Sequence, residues 1–269
     1  MRDESGAAVA AVPLEFAAGL AATLAWRLGR GLAGAYLHGS AVLGGWTASR
    51  SDVDLLVVLA DDLDAEQIQE AGEVLLAAAG QAPGRGLESS AVTASAAAEP
   101  GPPWPYVLHL RHPDDSSQPG GEPSLVSGDG HAGDPDLLMH YAVARAAGQA
   151  VAGPAPAALI GPVPRPLILE YLAGELDWGL THAPESYAVL NACRALVYLR
   201  DGGIVSKVAG GRAALDRGWG PAGTVRTALD QQLGRKAERP PGQDTAQFVA
   251  QTARELRDAA GAEKTSPPA

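Results

Sequence analysis

The sequence predicts an α+β fold, in which a mixed sheet with flanking helices is followed by an all-helical C-terminal domain. Short apolar or β-branched runs bounded by glycine and polar turn residues are concentrated in the first half of the 269 residues. After Asp134, apolar residues recur almost everywhere at helical spacing. We therefore predict a first domain over residues 1–133, a helical domain over 134–262 and a flexible tail over 263–269.

The elements of the first domain are predicted in order along the chain. Residues 13–32 have the apolar spacing of a helix, which ends at a glycine-rich stretch. The predicted strands are 35–38, 54–59, 88–96 and 106–111, and a second helix is predicted over 64–79. Residues 112–133 are rich in Pro, Gly, Ser and Asp, so we expect surface loops there.

The second domain is predicted to be built from helices alone. Their expected ranges are 136–149, 164–180, 185–201, 205–216, 222–235 and 243–260. The single cysteine of the chain, Cys193, falls within one of these helices and cannot form an internal disulfide. Core packing is its expected role, and a reducing compartment fits this cysteine usage.

Composition and charge limit the classes of partner. A formal net charge of −11 argues against binding to a phosphate backbone, which needs clustered Lys and Arg. No apolar run reaches the roughly 20 residues of a membrane span, and the N-terminus has no pattern of a secretion signal. We expect a cytoplasmic monomer that binds neither nucleic acid nor membranes. The acidity suits attraction of a polycationic small molecule, although a solvated acidic surface is the simpler explanation.

The most informative motif joins two carboxylates to a glycine-serine turn. Gly39-Ser40 follows a predicted strand, and Asp52-Val53-Asp54 begins the next one. Alternation along a strand puts both aspartates on one face, where they could hold one Mg²⁺ ion. Gly39 would let the backbone approach phosphates, and Ser40 and Ser51 add donors. The alternative interpretation is a capped turn before a strand, because Ser and Asp are ordinary turn residues.

These residues resemble a known superfamily, the DNA polymerase β-like nucleotidyltransferases, whose signature is Gly-Ser, a spacer and Asp-x-Asp. The segments 37–45 and 51–57 are most similar to the aminoglycoside nucleotidyltransferases, the streptomycin/spectinomycin 3''-adenylyltransferases and their 9-adenylyltransferase relatives. The resemblance implies a polymerase β-like nucleotidyltransferase domain followed by a helical domain. It also implies that ATP is a substrate and that Asp52 and Asp54 hold Mg²⁺ as the cofactor. Together with Glu88, these two aspartates are the expected catalytic residues.

The resemblance assigns three further residues. Glu88 stands where the family places a third acid, the proposed base that deprotonates or positions the acceptor hydroxyl. Arg194 and Lys207 match an arginine and a lysine that contact the phosphates of ATP in the family. Gly39, Ser40 and Ser51 complete the expected nucleotide-binding set.

The acceptor half of the resemblance is weaker. A family segment that helps to build the aminoglycoside site is replaced here by residues 108–115, which contain no tryptophan. Trp178, Asp177 and Glu185 are the candidate acceptor-binding residues, because an aromatic ring with nearby acids can contact a cationic sugar. We expect transfer of AMP from ATP to a hydroxyl of a small cationic acceptor, such as an aminoglycoside or aminocyclitol antibiotic. The alternatives are adenylylation of another metabolite or a protein side chain, and a non-catalytic nucleotide-binding regulatory protein.

Overall fold

A mixed sheet organises the first part of the chain. The computed structural model describes residues 9–111, 122–129 and 132–265. Within them a six-stranded sheet has the order β5-β4-β3-β2-β1-β6. β2 and β3 are parallel, and every other neighbouring pair is antiparallel. The strands are β1 Leu32–Leu37, β2 Val53–Leu59, β3 Leu87–Thr93, β4 Leu108–Arg111, β5 Ser124–Ser127 and β6 Gln149–Ala152.

Helices accompany this sheet. They are α1 Ala11–Leu28, α2 Ala65–Ala79, α3 Ala94–Ala98, α4 Leu137–Ala147 and α5 Pro156–Leu159, with 3₁₀ turns at Gly29–Gly31 and Gly39–Ala41. α2 begins at a capping box, in which the Asp64 carboxylate accepts from the Gln67 N–H. α1 and α2 cover one face of the sheet with apolar side chains, so that face forms the core of the first part.

The two faces of β2 differ in chemistry. Val53, Leu55 and Val57 belong to the core that α1 and α2 cover. Because successive side chains of a strand alternate, Asp54 points to the opposite face. Burial of each such Val or Leu contributes roughly 1.5–3 kcal/mol, so the strand that positions Asp54 is firmly anchored. Alternation along β2 thus places Val53 in the core and Asp54 on the opposite face.

Two strands lie where the sequence predicted other structure. β5 falls within the predicted loops, and β6 falls in the predicted helical domain. Both have four residues, too few to show a period of two. β3 ends at Thr93 rather than at residue 96, because the Thr93 side chain caps α3 by accepting from the Ala96 N–H.

The chain divides into two units between Val163 and Pro164, later than the expected domain boundary after residue 133. The boundary lies later because β6 pairs with β1. This pairing makes β6, and α4 before it, part of the unit that contains the sheet. The predicted α+β class, with a mixed sheet followed by a helical region, is confirmed.

The second unit is helical in the described residues. Its helices are α6 Arg165–His182, α7 Glu185–Asp201, α8 Lys207–Arg217, α9 Ala222–Gln232 and α10 Gln243–Thr265. α7 packs against α8, α9 and α10, and α10 also packs along α6. Cys193 is fully buried on α7, in agreement with its expected packing role. α10 includes residues 263–265 of the expected tail, and 266–269 lie outside the described residues.

None of the helices in the described ranges has the length and apolar character needed to cross a bilayer.

Candidate active site

The turn after β1 lies against the carboxylate of Asp54. Gly39 has a φ of +61°, in the left-handed region that favours glycine. A Cβ atom at this position would lie 1.9 Å from Oδ2 of Asp54 and 2.4 Å from its Cγ. The His38 N–H donates to the backbone oxygen of Asp54 at 2.9 Å, which holds the end of β1 beside β2. Only glycine permits this close approach without displacing the carboxylate.

Asp54 lies in an environment that opposes its ionisation. Burial raises its pKa well above the usual range, and the charges of Glu88 and Asp52 raise it further. The charge of His140 and a hydrogen bond from the Ser40 N–H lower it by less. Ser40 thus contacts Asp54 directly. A bound cation would offset the electrostatic repulsion between these carboxylates.

Glu88 stands directly beside Asp54. The two residues are Cα partners in the parallel register of β2 and β3, so their side chains emerge on the same face of the sheet. His140, on α4, directs Nε2 to Oε1 of Glu88 across 3.2 Å. Although burial opposes ionisation of Glu88, the hydrogen bond and charge of His140 lower its pKa to about 2. Glu88 is therefore a carboxylate at neutral pH.

The two histidines respond differently to burial. His140 loses hydration, but its hydrogen bond to Glu88 and the charge of Glu88 raise its pKa to about 9. The ring of His38 packs on it, with the centroids 4.9 Å apart. Burial, followed by the charge of His140, lowers the pKa of His38 to about 3. His140 is thus the cationic member of the pair, and His38 the neutral one.

The loop before β2 is closed by its own hydrogen bonds. The Ser51 hydroxyl oxygen accepts from the Thr47 N–H at 3.0 Å, and the Ser51 N–H donates to the Thr47 oxygen at 2.9 Å. Trp46 donates from Nε1 to the backbone oxygen of Asp52 at 3.2 Å. Ser51 is buried, and these bonds give it a role in shaping the loop. Its expected role as a nucleotide donor stays a prediction.

A third histidine, His109, lies on the same face of the sheet. The hydroxyl of Ser90, two residues after Glu88, is 3.0 Å from Nδ1 of His109 on β4. That nitrogen is also 3.7 Å from the carboxylate of Asp134. Asp134 in turn accepts from the Asp136 N–H at 3.0 Å just before α4. The polar face of the sheet thus continues from Asp54 to the start of α4.

In the second unit, the predicted cations lie around one aromatic ring. Lys207 Nζ is 4.2 Å from the ring centroid of Tyr187. Arg194 is on the same helix as Tyr187, and its charge lowers the pKa of the tyrosine against the larger effect of burial. Trp178 also contacts Tyr187, in an edge-to-face arrangement with the ring centroids 5.8 Å apart. The predicted phosphate ligands and the predicted acceptor tryptophan are therefore neighbours within this unit.

The two predicted acceptor acids are engaged in ion pairs. Glu185 is buried, with both carboxylate oxygens bonded to Arg239 and one also to the Thr245 hydroxyl at 2.8 Å. These contacts are those of a structural residue, and its expected role in acceptor binding stays a prediction. Asp177 is about half-exposed and pairs with Arg257. Trp178 is 48% exposed, so its ring retains a solvent-facing surface.

The chemistry of Asp52 and Asp54 fits a magnesium ion that shares its ligands with a substrate. No group of three or more His, Cys, Asp or Glu in the part of the chain that the structure describes is arranged to hold a metal ion. Mg²⁺ is usually bound by one or two carboxylates, with substrate phosphates and water completing its octahedron. The raised pKa of Asp54 and the close fit of its carboxylate against Gly39 are consistent with such a site.

Comparisons with known proteins give matches to two family models and to a solved structure. A family model described as nucleotidyltransferase domain matches residues 20–82. Another, described as aminoglycoside adenylyltransferase, C-terminal domain, matches residues 159–257. The fold is similar to the crystal structure of a spectinomycin adenyltransferase from Enterococcus faecialis with ATP and spectinomycin. The TM-score is 0.64 at 17% identity, over 92% of this chain and 98% of that chain. No curated protein matches the chain.

Sequence reasoning did not identify the histidines around Glu88. His38 was part of the motif that precedes Gly39, but no role followed from its position in the sequence. His140 reaches Glu88 only because α4 packs near β2 and the Gly39 turn, and linear spacing carries no signal for this contact. The prediction brought together Asp52, Asp54 and Glu88. Adjacent strands place Asp54 and Glu88 side by side, and Asp52 lies just before β2, where its charge raises the pKa of Asp54.

Proposed function

The chain belongs to the aminoglycoside nucleotidyltransferase family, and from that membership we propose that it transfers the AMP part of ATP to a hydroxyl of a small cationic acceptor. The protein is a nucleotidyltransferase. The observation that best supports the proposal is the pairing of Asp54 with Glu88 beside the Gly39-Ser40 turn. Two carboxylates on one sheet face, with the third of Asp52 just before β2, suit nucleotide chemistry better than simple binding, which does not need them.

Asp52 and Asp54 would hold Mg²⁺ in this reaction. The ion supplies charge neutralisation on phosphate oxygens and alignment of the attacking and leaving oxygens. Gly39 is proposed to keep the Asp54 carboxylate in its position for the metal, because a Cβ atom there would lie 1.9 Å from Oδ2 and displace it. Arg194 and Lys207 are proposed to contact the triphosphate, where their positive charge would stabilise the departing pyrophosphate.

Glu88 is proposed to receive the proton of the acceptor. The acceptor oxygen attacks the α-phosphorus, a new oxygen–phosphorus bond forms, and the bond to the bridging α–β oxygen breaks. Pyrophosphate leaves, and the hydroxyl proton passes to the carboxylate of Glu88. A carboxylate whose pKa is lowered to about 2 is a weak base. Its main contribution is therefore to hold the hydroxyl in line and to accept the proton late, when the oxygen has become acidic.

The acceptor is proposed to be an aminocyclitol or aminoglycoside. The neighbouring solved structure contains spectinomycin, which makes that compound the first acceptor to test. The exposed ring of Trp178 offers an aromatic face to a cationic sugar. Asp177 is the remaining candidate acid, although it would have to exchange its contact with Arg257 for one with the acceptor. The net charge of −11 also favours a cation over an anion.

Incubation with ATP, Mg²⁺ and a panel containing spectinomycin and streptomycin tests the proposal. We expect mass spectrometry to detect an AMP adduct of at least one compound, with release of an equal amount of pyrophosphate. Asp52→Asn should abolish the adduct, because it removes one of the two carboxylates from the magnesium site.

Asp62→Asn is the matched control for charge removal. Asp62 is an exposed residue just beyond the opposite end of β2, so its variant should form the adduct at the wild-type rate. Pyrophosphate release without any adduct on the panel would reject the antibiotic acceptor and retain nucleotide chemistry. Absence of both products with every acceptor would reject the proposed transfer.

A further inference from the structure

Within the described residues, the side chain of His140 has one hydrogen-bonding partner, which is the carboxylate of Glu88. Its Nε2 atom lies 3.2 Å from Oε1 of the glutamate, and its side chain is only 12% exposed. Its Nδ1 atom is buried and has no hydrogen-bond partner within the described part of the chain. The hydrogen bonding of this imidazole is therefore directed to the proposed base alone.

The orientation of His140 is set by packing. Its backbone is part of α4, and the His140 N–H donates to the Asp136 oxygen at 3.2 Å. The His38 ring lies against it, tilted by 54°. His38 is itself 98% buried and is tied to β2 through its backbone bond to Asp54. The imidazole is thus held from two elements, and it has little freedom to follow Glu88 elsewhere.

Glu88 needs an external contact of this kind. Its side chain has several rotatable bonds and is 39% exposed, so fixing one rotamer costs conformational entropy. Simultaneous ionisation of Glu88 and Asp54 is unfavourable at this distance, which favours a Glu88 rotamer that turns away from Asp54. A fixed donor at Oε1 opposes both effects and leaves Oε2 available to an acceptor hydroxyl.

We propose that His140 is a positioning residue that holds the Glu88 carboxylate beside Asp54 for contact with the acceptor hydroxyl. This inference rests on the proposed function, because it assigns to His140 a role in the same transfer. His140 does not touch the reacting atoms in this scheme. It acts through Glu88, and the effect of losing it should appear in the turnover step.

The test compares two replacements of His140 with a change at the next residue. His140→Leu removes the donor, whereas His140→Gln keeps an amide N–H near the position of Nε2. Tyr141→Phe is the control, because Tyr141 is buried on the same helix and its hydroxyl has no hydrogen-bond partner in the described residues. Each variant is assayed for AMP transfer, with kcat and KM for ATP measured separately.

We expect His140→Leu to lower kcat by roughly 10–100-fold with little change in the KM for ATP. A displacement of the Glu88 carboxylate by about 1 Å is enough for a loss of rate of this size. His140→Gln should restore most of kcat, and Tyr141→Phe should match the wild type. Equal losses in the Leu and Gln variants, or a wild-type kcat in His140→Leu, would overturn the proposal. A loss confined to folded yield or to KM would overturn it as well.

A spectroscopic arm separates this inference from the proposed function. In protein labelled with ¹⁵N at histidine, the His140 ring signals are assigned by their loss in His140→Gln. We expect Glu88→Gln to shift the Nε2 signal, and Tyr141→Phe to leave it in place. An unshifted signal would overturn the contact. If the wild type transfers no AMP to any acceptor, the proposed function fails and the positioning role fails with it, even where the contact is observed.

Discussion

Asp54 and Glu88 are Cα partners on the parallel strands β2 and β3. This register brings two carboxylates from segments 34 residues apart to adjacent points on one sheet face. Their proximity is unfavourable without a cation, and it adds to the burial that raises the pKa of Asp54. His140 compensates Glu88, but nothing of comparable strength compensates Asp54 among the groups that affect its pKa. The electrostatics of the pair therefore support the magnesium site that we propose.

Replacing Gly39 by Ala tests whether the close contact between Gly39 and the Asp54 carboxylate is needed for activity. The added Cβ would meet the Asp54 carboxylate at 1.9 Å, so we expect kcat/KM for AMP transfer to fall by about 100-fold or more. Gly29→Ala is the matched control, because Gly29 has a similar φ of +54° and no atom within 4 Å of its Cβ position. Both variants place alanine at a positive φ, which costs about 1–3 kcal/mol of unfolding free energy, and Gly39→Ala adds the cost of displacing the Asp54 carboxylate. Equal activity in the two would contradict a role for the contact with Asp54.

Asp54→Asn is expected to stabilise the metal-free protein at neutral pH. A group whose folded pKa is raised stabilises the fold below its unfolded pKa, and this contribution is lost as the pH rises through the folded value. Because folding makes ionisation of Asp54 less favourable than it is in the unfolded chain, the aspartate costs folding free energy at pH 7, and the amide removes that cost. Each ~1 kcal/mol gained should raise Tm by a few degrees in thermal melts with a chelator. The gain should vanish near pH 3.8, and Asp62→Asn should show none.

Binding of Mg²⁺ and ATP should release a proton. The raised pKa of Asp54 favours a protonated carboxyl in the metal-free protein, whereas a metal ligand must be ionised. The affinity for Mg²⁺ is therefore expected to rise with pH. Calorimetry at one pH in two buffers of different ionisation enthalpy would count the proton. Identical heats in the two buffers would show that Asp54 is already ionised before binding.

Glu185→Gln should weaken the fold without changing acceptor binding. The carboxylate is buried between Arg239 and Thr245, so its neutralisation removes a charge-assisted contact worth about 1–3 kcal/mol. Asp177→Asn is the comparison, because that exposed pair with Arg257 should contribute at most ~1 kcal/mol. Chemical denaturation gives both values. An increased KM for the acceptor in Glu185→Gln, at unchanged stability, would restore its original assignment.

The placement of Asp54 beside Glu88 was predictable from sequence, because each residue lies on a long, largely buried strand. β2 and β3 have seven residues each, enough for the apolar run and the alternation to be recognised. Placement of Asp54 and Glu88 on adjacent strands then follows from ordinary sheet geometry. The short strands β5 and β6 were not predictable, because four residues cannot establish a period and their pairing depends on partners far along the chain.

Contacts that depend on tertiary packing were beyond the sequence. His140 was expected within a helical domain, whereas α4 packs with the sheet and brings its ring to Glu88. Glu185 has the local pattern of an acid beside aromatic residues, which suggested acceptor binding. Only the return of the chain at Arg239 and Thr245 shows that its carboxylate is used internally.

The pairing of β6 with β1 determines where the first unit can be cut. A fragment ending at residue 133 would leave the outer backbone groups of β1 unpaired, a template for edge-to-edge aggregation. It would also lack α4, and with it the histidine bound to Glu88. A fragment ending at Val163 retains both. Size-exclusion chromatography of the two fragments should therefore show a monodisperse longer piece and an aggregating shorter one.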